Sequence, residues 1–227
     1  MNRIPICRLL ALVMLAALVV VAPSALAKKK SLPQTSKEGL ELKHSSKQGA
    51  LYIKDGASLE DYKRVTMTDV YVAFKKNWQR NYNQDVMGLE GRVTDKDVET
   101  IKNRLAKEFK DVFTKELEKA GYEVVDGAAS DVLLLRPAII DLVVTAPDIQ
   151  RADMSRTFVA SEGEMTLYIE LYDSLTSDLL AQAIDAEAAR DGGMAHMGGR
   201  VANKAAADQI LKRWADILVD HLGKALE

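Results

Sequence analysis

The chain has 227 residues, of which 48% are hydrophobic, so it is long enough to bury one core of ordinary size. Its 31 basic and 33 acidic side chains give a net charge of −2, which argues against a protein whose main role is nucleic-acid binding. The single cysteine, Cys7, excludes an intramolecular disulfide framework and a cysteine-based zinc site. A mean hydropathy of −0.11 excludes a polytopic membrane protein.

The N-terminus has the three parts of a secretory signal peptide. Two basic residues precede an unbroken apolar run over residues 9–22, and Ala25 and Ala27 then occupy the small-residue positions of a cleavage site. The pattern predicts a signal peptide over residues 1–27, cleaved between Ala27 and Lys28. As an uncleaved anchor the apolar run would be only about 21 Å long in a helix, against roughly 30 Å of hydrocarbon.

The signal predicts where the protein is found. Bacterial lipoproteins carry their acylated cysteine just after the apolar run, whereas Cys7 precedes it and would leave with the signal peptide. We therefore expect a protein without a lipid anchor that is exported across the inner membrane to the periplasm. Its contact with the membrane would be through the signal peptide only.

The composition after the signal divides the mature chain into two parts. Residues 28–50 contain three successive lysines and several serines but few apolar residues, and are predicted to form a polar, flexible tether. The lysines fit a solvated leader better than a membrane-binding patch, because they have no apolar partner. Residues 51–227 are predicted to form a single α+β domain.

The first half of that domain is predicted to contain one strand and one long helix. Tyr62–Phe74 is rich in β-branched and aromatic residues, and its apolar positions change parity near Thr68–Asp69, which predicts a bulge or bend there. Residues 75–92 are polar and are predicted to be a loop. Thr94 is the predicted N-cap of an amphipathic helix that ends at Gly121.

The second half is predicted to be mainly strands. A short strand is expected at Tyr122–Val125. Asp131–Thr145 is apolar on both parities, as in a strand covered on both faces, and Pro137 predicts an interruption or bulge because it lacks an N–H. Strict alternation over Met165–Tyr172 predicts a half-buried strand, and the turn that follows it predicts a hairpin partner at Leu179–Ala186.

Residues 202–226 are predicted to close the chain as a helix. The predicted inner face of this helix consists of Ala206, Ile210, Trp214, Ile217, Leu218 and Leu222. The order of elements predicts the α+β class: an antiparallel sheet of about four to five strands with two long helices packed on one face.

No catalytic constellation is evident. His44, His196 and His221 lie in different predicted elements, and no serine lies in a Gly-x-Ser-x-Gly elbow. Carboxylates are available for acid–base work at Asp141, Glu162, Glu164, Glu170 and Asp185. Glu164 and Glu170 share a parity with polar neighbours and are predicted to face solvent. The chain is therefore predicted not to be an enzyme, with no catalytic residue and no cofactor.

Two aromatic and two basic residues are the candidate contact residues. Trp78 and Tyr82 lie in the predicted polar loop, where exposed aromatic rings favour interfaces. Arg151 and Arg156 lie in a second polar loop. These four residues are the predicted binding residues for a partner.

One segment has ligand types that suit copper. Met194, His196 and Met197 supply thioether and imidazole groups within four residues. The segment lies between glycines in a predicted mobile loop and lacks a fourth ligand. An ordinary loop without a metal is therefore the favoured interpretation.

Several segments of the chain, in this order, resemble one bacterial family. They are Glu38–Leu42, Tyr62–Val65, Val72–Trp78, Gly163–Leu167, Glu170–Thr176 and Trp214–Ala215. Together they resemble the envelope proteins of domain-of-unknown-function family 3313, over about Gly39 to Leu222. The resemblance implies an envelope location but no activity and no catalytic residue. The chain departs from the family in lacking a placed lipoprotein cysteine and in having Ser177 where the turn usually carries glycine.

These observations favour a non-enzymatic, exported protein that binds an envelope partner or associates with itself. The strand at Asp131–Thr145 needs cover on both faces, and two helices cover only one. The chain's own N-terminal segment, an oligomer or a partner would cover the other. The alternative is a carrier that holds an apolar ligand such as a lipid between helices and sheet, and an envelope hydrolase is the weakest hypothesis.

Overall fold

The secondary structure is seen in a computed structural model of the chain. It describes residues 32–86, 88, 91–144, 158–159, 164–188, 196–197 and 200–224. The predicted signal peptide and its cleavage site at Ala25, Ala27 and Lys28 lie outside the described residues.

The described residues contain both of the long helices that the sequence predicts. The helices are α1 (Trp78–Asp85), α2 (Asp95–Lys119) and α3 (Arg200–Lys224). The strands are β1 (Glu41–Ser45), β2 (Gly49–Ile53), β3 (Arg64–Met67), β4 (Tyr71–Phe74), β5 (Glu123–Val124), β6 (Val132–Val143), β7 (Phe158–Val159), β8 (Glu164–Asp173), β9 (Leu179–Ala188) and β10 (His196–Met197).

Eight strands form one mixed sheet in the order β1-β2-β9-β8-β6-β3-β5, with β4 also paired to β6. The pairs β1–β2, β2–β9, β9–β8 and β8–β6 are antiparallel. By contrast, β3 and β4 run parallel to β6, and β5 runs parallel to β3. The α+β class is confirmed, but the sheet has more strands than predicted and is not purely antiparallel. The long stretch containing α2 supplies the crossover that parallel pairing requires.

On its parallel side β6 pairs with two successive strands, β3 and β4, and the gap between them lies opposite Pro137. The pairing of β3 with β6 stops at Leu135, and that of β4 with β6 resumes at Ala138. The N–H of Thr68 donates to the carbonyl of Leu135 at 3.0 Å, so odd-numbered residues of β6 direct their backbone groups to this side. Pro137 has no N–H to offer there, whereas its pairing with Ile169 on β8 is uninterrupted. The predicted bend and the predicted interruption are therefore one feature.

Helices α2 and α3 pack on the same face of the sheet. The capping box at Thr94 starts α2 as predicted, and Phe109 and Phe113 on its apolar stripe are fully buried. Trp214 of α3 is 2% exposed, and these side chains share one core with the odd-numbered residues of β6 and β8. One predicted inner-face residue, Ile217, is 42% exposed, which corrects that assignment.

The prediction of a flexible tether over residues 28–50 is wrong for residues 41–45 and 49–50, which form paired strands. β1 and β2 form a hairpin at the edge of the sheet, and β1 contains a register shift between Leu42 and His44. Leu40 packs on Tyr52, and the Tyr52 hydroxyl donates to the carbonyl of Pro33 at 3.2 Å. Because Tyr52 faces away from the helices, this N-terminal segment covers part of the second sheet face.

The predicted loop at residues 75–92 contains α1. The Asn83 side chain accepts a hydrogen bond from the Val93 N–H at 2.7 Å and donates to its carbonyl at 2.8 Å. The Asn83 amide thus bonds both backbone groups of Val93, as a neighbouring strand would, and holds α1 against the start of α2. The polar residues that predicted a loop are therefore used inside a folded segment.

The turn between β8 and β9 is organised by one carboxylate. Asp173 accepts hydrogen bonds from the N–H groups of Leu175 (2.9 Å) and Thr176 (2.7 Å) and from the Tyr62 hydroxyl (2.8 Å). The Thr176 N–H, and then the Tyr62 hydroxyl, hold the pKa of Asp173 below its ordinary value. Burial, and then the bond to Asp173, raise the pKa of Tyr62 to about 12.

Ser177 closes this turn with a φ of 60°, in the left-handed region that favours glycine. We expect Ser177→Gly to raise the free energy of unfolding by about 0.5–1 kcal/mol, since a side chain in this region costs roughly that much. Leu175→Gly is the matched control in the same turn, because Leu175 is 60% exposed and is not among the residues with positive φ. It should lower the free energy of unfolding, and denaturant unfolding of both variants measures the two effects. Equal destabilisation by both would contradict strain at Ser177.

Candidate functional site

Strand β9 presents small side chains toward α3 where its neighbours present large ones. Ala183 pairs with Leu51 on β2 and with Ile169 on β8, and Ala181 likewise lies between larger side chains. Residues of the same parity face the same side of a sheet, so the two alanines form the floor of a trough. The walls of the trough are the taller side chains of β2 and β8.

Helix α3 covers this trough and leaves a partly open cavity of about 590 Å³. Trp214, Leu218 and Leu222 form its roof, and Ala57 and Leu59 lie at one end of it. Cavities that bind small ligands measure about 300–1,000 Å³ and are mostly apolar, with a few polar groups that orient the ligand. The volume and lining of the cavity fit that description.

The polar end of the cavity is formed by Asp185. Its carboxylate accepts a hydrogen bond from the indole N–H of Trp214 at 2.8 Å, which joins β9 to α3. His44 and His221 also line the cavity, and both side chains are exposed. The cavity lining is thus mostly apolar, and its ionisable groups are Asp185, His44 and His221.

Gly49 allows β2 to approach β9 closely at this end. A Cβ on Gly49 would lie 2.4 Å from the carbonyl oxygen of Ile184 and 2.7 Å from Oδ1 of Asp185. Both distances are shorter than side chains tolerate. Glycine is therefore required at position 49 because a side chain there would clash with β9, and not because of its backbone φ.

A second polar cluster lies on the opposite face of the sheet. Glu170 accepts hydrogen bonds from the hydroxyls of Tyr168 (2.9 Å) and Tyr172 (2.8 Å), and Arg136 lies 3.6 Å from it. Gln182 donates to the Tyr168 hydroxyl. Burial, and then the bond to Glu170, raise the pKa of both tyrosines. The side chain of Glu170 is only 13% exposed, which corrects the expectation that it faces solvent.

The structure buries one of the predicted contact residues. Trp78 is 7% exposed, stacks on Phe74 with ring centroids 4.2 Å apart, and donates its indole N–H to the carbonyl of Val144 at 3.1 Å. Tyr82 is half-buried and stacks on Trp78 at 5.8 Å. The prediction of Trp78 as a surface contact is therefore wrong, because its ring completes a small core with Val93.

The other predicted site residues are described in part or not at all. Arg151, Arg156 and Met194 lie outside the described residues. His196 and Met197 form β10, which pairs with β7, so this part of the predicted glycine-rich loop is a strand. The copper hypothesis for Met194, His196 and Met197 stays untested.

The cavity is not evident from the sequence pattern of any one segment. The signal was the alternation of small residues in Leu179–Ala188, where Ala181 and Ala183 occupy every second position opposite leucines and isoleucines of other strands. Recognising it requires the strand order, because only the sheet places Ala183 between Leu51 and Ile169. The sequence pattern identifies Asp185 only as one of five available carboxylates.

We expect Gly49→Ala to lower the free energy of unfolding by about 1–3 kcal/mol, the usual cost of forcing atoms into a packed contact. Gly223→Ala is the matched control: no atom lies within 4 Å of its added Cβ, and it lies in α3. It should leave stability unchanged or raise it by up to about 1 kcal/mol. Thermal and denaturant unfolding compare the two variants. An unchanged Gly49→Ala protein would contradict the close approach of β2 to β9.

Comparison with curated proteins found no match for this chain. None of the helices within the described residues is long and apolar enough to span a membrane.

Several solved structures resemble the chain weakly. A PelC dodecamer from Paraburkholderia phytofirmans is 11% identical and has a TM-score of 0.36, covering 73% of this chain and 93% of that one. A minor lipoprotein from Acinetobacter baumannii is 8% identical with a TM-score of 0.32, over 71% and 92%. A DUF4136 family protein from Bacteroides thetaiotaomicron is 10% identical with a TM-score of 0.35, over 78% and 96%. All three TM-scores are below 0.5, so none bears on the function of this chain.

The family comparison gives a match over most of the sequence. The family model described as "Protein of unknown function (DUF3313)" matches residues 30–218. The match confirms the resemblance seen in the segments from Glu38 to Ala215. The chain therefore belongs to this family of proteins of unknown function.

Proposed function

We propose that this protein is an exported, non-enzymatic carrier that binds an apolar ligand between α3 and the sheet. The observation that carries the proposal is the cavity of about 590 Å³ over Ala181 and Ala183. Of the hypotheses drawn from the sequence, it favours the carrier over the partner-binding module. The buried position of Trp78 points the same way, because it removes one of the predicted contact residues.

The lining of the cavity supports binding rather than catalysis. In the part of the chain that the structure describes, five tyrosines have a raised pKa, and none of them lines the cavity. Tyr62, Tyr168 and Tyr172 donate to carboxylates, and burial raises the pKa of the other two, Tyr82 and Tyr122. Acid–base and nucleophilic catalysis need a base within hydrogen-bond reach of a nucleophile, with a third group to orient it. The cavity lining combines apolar side chains with Asp185, Trp214, His44, His221 and Ser46. The Ser46 hydroxyl accepts hydrogen bonds from the N–H groups of Gln48 and Gly49 in its own turn, and the Asp185 carboxylate accepts from Trp214, which supports a binding role for the cavity.

The carrier is tested by filling the trough. We expect Ala183→Leu to weaken binding of the neutral fluorescent probe N-phenyl-1-naphthylamine by at least about tenfold, because the added side chain occupies the floor of the cavity. Ala186→Leu is the matched control, since Ala186 is exposed on the other face of the same strand. It should bind the probe as the unsubstituted protein does.

Native mass spectrometry of gently purified protein supplies the second readout. The unsubstituted protein should retain a small apolar mass, and Ala183→Leu should retain much less. Circular dichroism shows that each variant is folded. Absence of saturable probe binding together with absence of retained mass would overturn the carrier, as would equal binding by Ala183→Leu.

Export to the periplasm is supported by the signal pattern in residues 1–27. We expect the protein released from a bacterial host by osmotic shock to begin at Lys28 when its N-terminus is sequenced. Ala27→Phe should block cleavage, because signal peptidase requires a small residue there, whereas Ala17→Leu in the apolar run should be processed normally. An intact N-terminus on protein confined to the cytoplasm would refute export.

A further inference from the structure

We propose that the ligand is a single-chain amphiphile with an ammonium head group, and that Asp185 binds this head group. The inference rests on the proposed carrier function and specifies its ligand class. The apolar chain would lie over Ala183 and Ala181, with the ammonium group at the polar end of the cavity.

The orientation of the Asp185 carboxylate supports this assignment. Its Oδ2 accepts the Trp214 N–H at 2.8 Å, so the side chain is fixed against the roof of the cavity. Its Oδ1 lies close to Gly49 at the edge of β2, since a Cβ at that position would be only 2.7 Å away, and Asp185 is also part of the cavity lining. A carboxylate accepts several hydrogen bonds, and from the described residues Asp185 receives the one from Trp214. Because Asp185 lines the cavity, its remaining capacity to accept hydrogen bonds is available at the end of the apolar trough.

Among the described residues, no lysine or arginine forms an ion pair with Asp185. The next helix-facing residue of β9 is Glu187, and that carboxylate is paired with Arg213 of α3. The other ionisable groups of the lining are the imidazoles of His44 and His221, and the described part of the lining contains no lysine or arginine. The Trp214 N–H is a neutral donor and removes none of the negative charge of Asp185.

A carboxylate beside an apolar cavity favours a cation of complementary shape. Partial burial weakens hydration of the carboxylate, and an ammonium group restores both charge balance and hydrogen bonds. A ligand carboxylate at the same place would meet the like charge of Asp185. The site therefore discriminates against fatty acids and in favour of amines of the same chain length.

The dimensions of the trough suit a single chain. From Asp185 to Ala181 the strand advances four residues, or about 13 Å at the usual rise. Over that length the helix-facing floor is alanine, and the end beyond it is formed by Ala57 and Leu59. The narrow floor between β2 and β8 accepts one extended chain lying along β9.

Calorimetric titration of the full-length chain with dodecylamine, dodecanol and dodecanoate at neutral pH tests the inference. The three ligands share one chain and differ in head group. We expect dodecylamine to bind at least about tenfold more tightly than dodecanol, the range of a charge-assisted hydrogen bond, and dodecanoate to bind more weakly than dodecanol.

Asp185→Asn should abolish the preference for the amine while leaving dodecanol binding unchanged, since asparagine keeps an acceptor for Trp214. Asp216→Asn is the control for general attraction, because Asp216 is an exposed residue of α3 outside the cavity lining. It should retain the preference. Lauroyl lysophosphatidylethanolamine distinguishes a phospholipid head group from a simple amine as the source of the ammonium group. If this lipid binds and its binding depends on Asp185, the site takes a lipid ammonium group; if only dodecylamine binds, the site takes a free amine.

The outcomes separate the two proposals. If none of the three ligands binds, the carrier function itself fails. If dodecanol binds but the amine has no advantage, or Asp185→Asn retains that advantage, the head-group assignment fails and the carrier stands.

Discussion

Burial of one face of the sheet beneath α2 and α3 is the constraint on which the rest of the structure depends. Phe109, Phe113 and Trp214 pack on the odd-numbered residues of β6 and β8, and the two helices and the sheet centre share one core. The hydrophobic effect favours filling such an interface completely. The trough over β9 is the place where the strand supplies alanine instead of a larger residue, so α3 bridges it rather than filling it.

The cavity and the second sheet face therefore have different chemistry. On the helix side, small apolar residues leave space, and one carboxylate marks its end. On the opposite side, Glu170 is surrounded by hydroxyl and amide donors, so its hydrogen-bonding capacity is used within the protein. Among the described residues, the helix side of the sheet combines space with an available acceptor, which is why the proposed ligand is placed there.

Local signals in the sequence predicted much of the fold. Thr94, Pro137 and the alternation in β8 each determine structure through neighbours in the chain, and the structure agrees with all three. Errors occurred where the determining contact is distant. Trp78 is buried by Val93 and Val144, and the polar segment before β2 is held by Tyr52. The cavity depends on strand order, which periodicity within one segment does not contain.

The hairpin at the sheet margin has a consequence for the behaviour of the folded chain in concentrated solution. β1 is a short outer strand whose ladder slips between Leu42 and His44, and it displays the ion pair of Lys43 with Glu41. An irregular margin with charged side chains is a poor template for docking another extended segment. Growth of the sheet into neighbouring molecules is therefore discouraged at this margin, and the protein is protected there from fibrous aggregation.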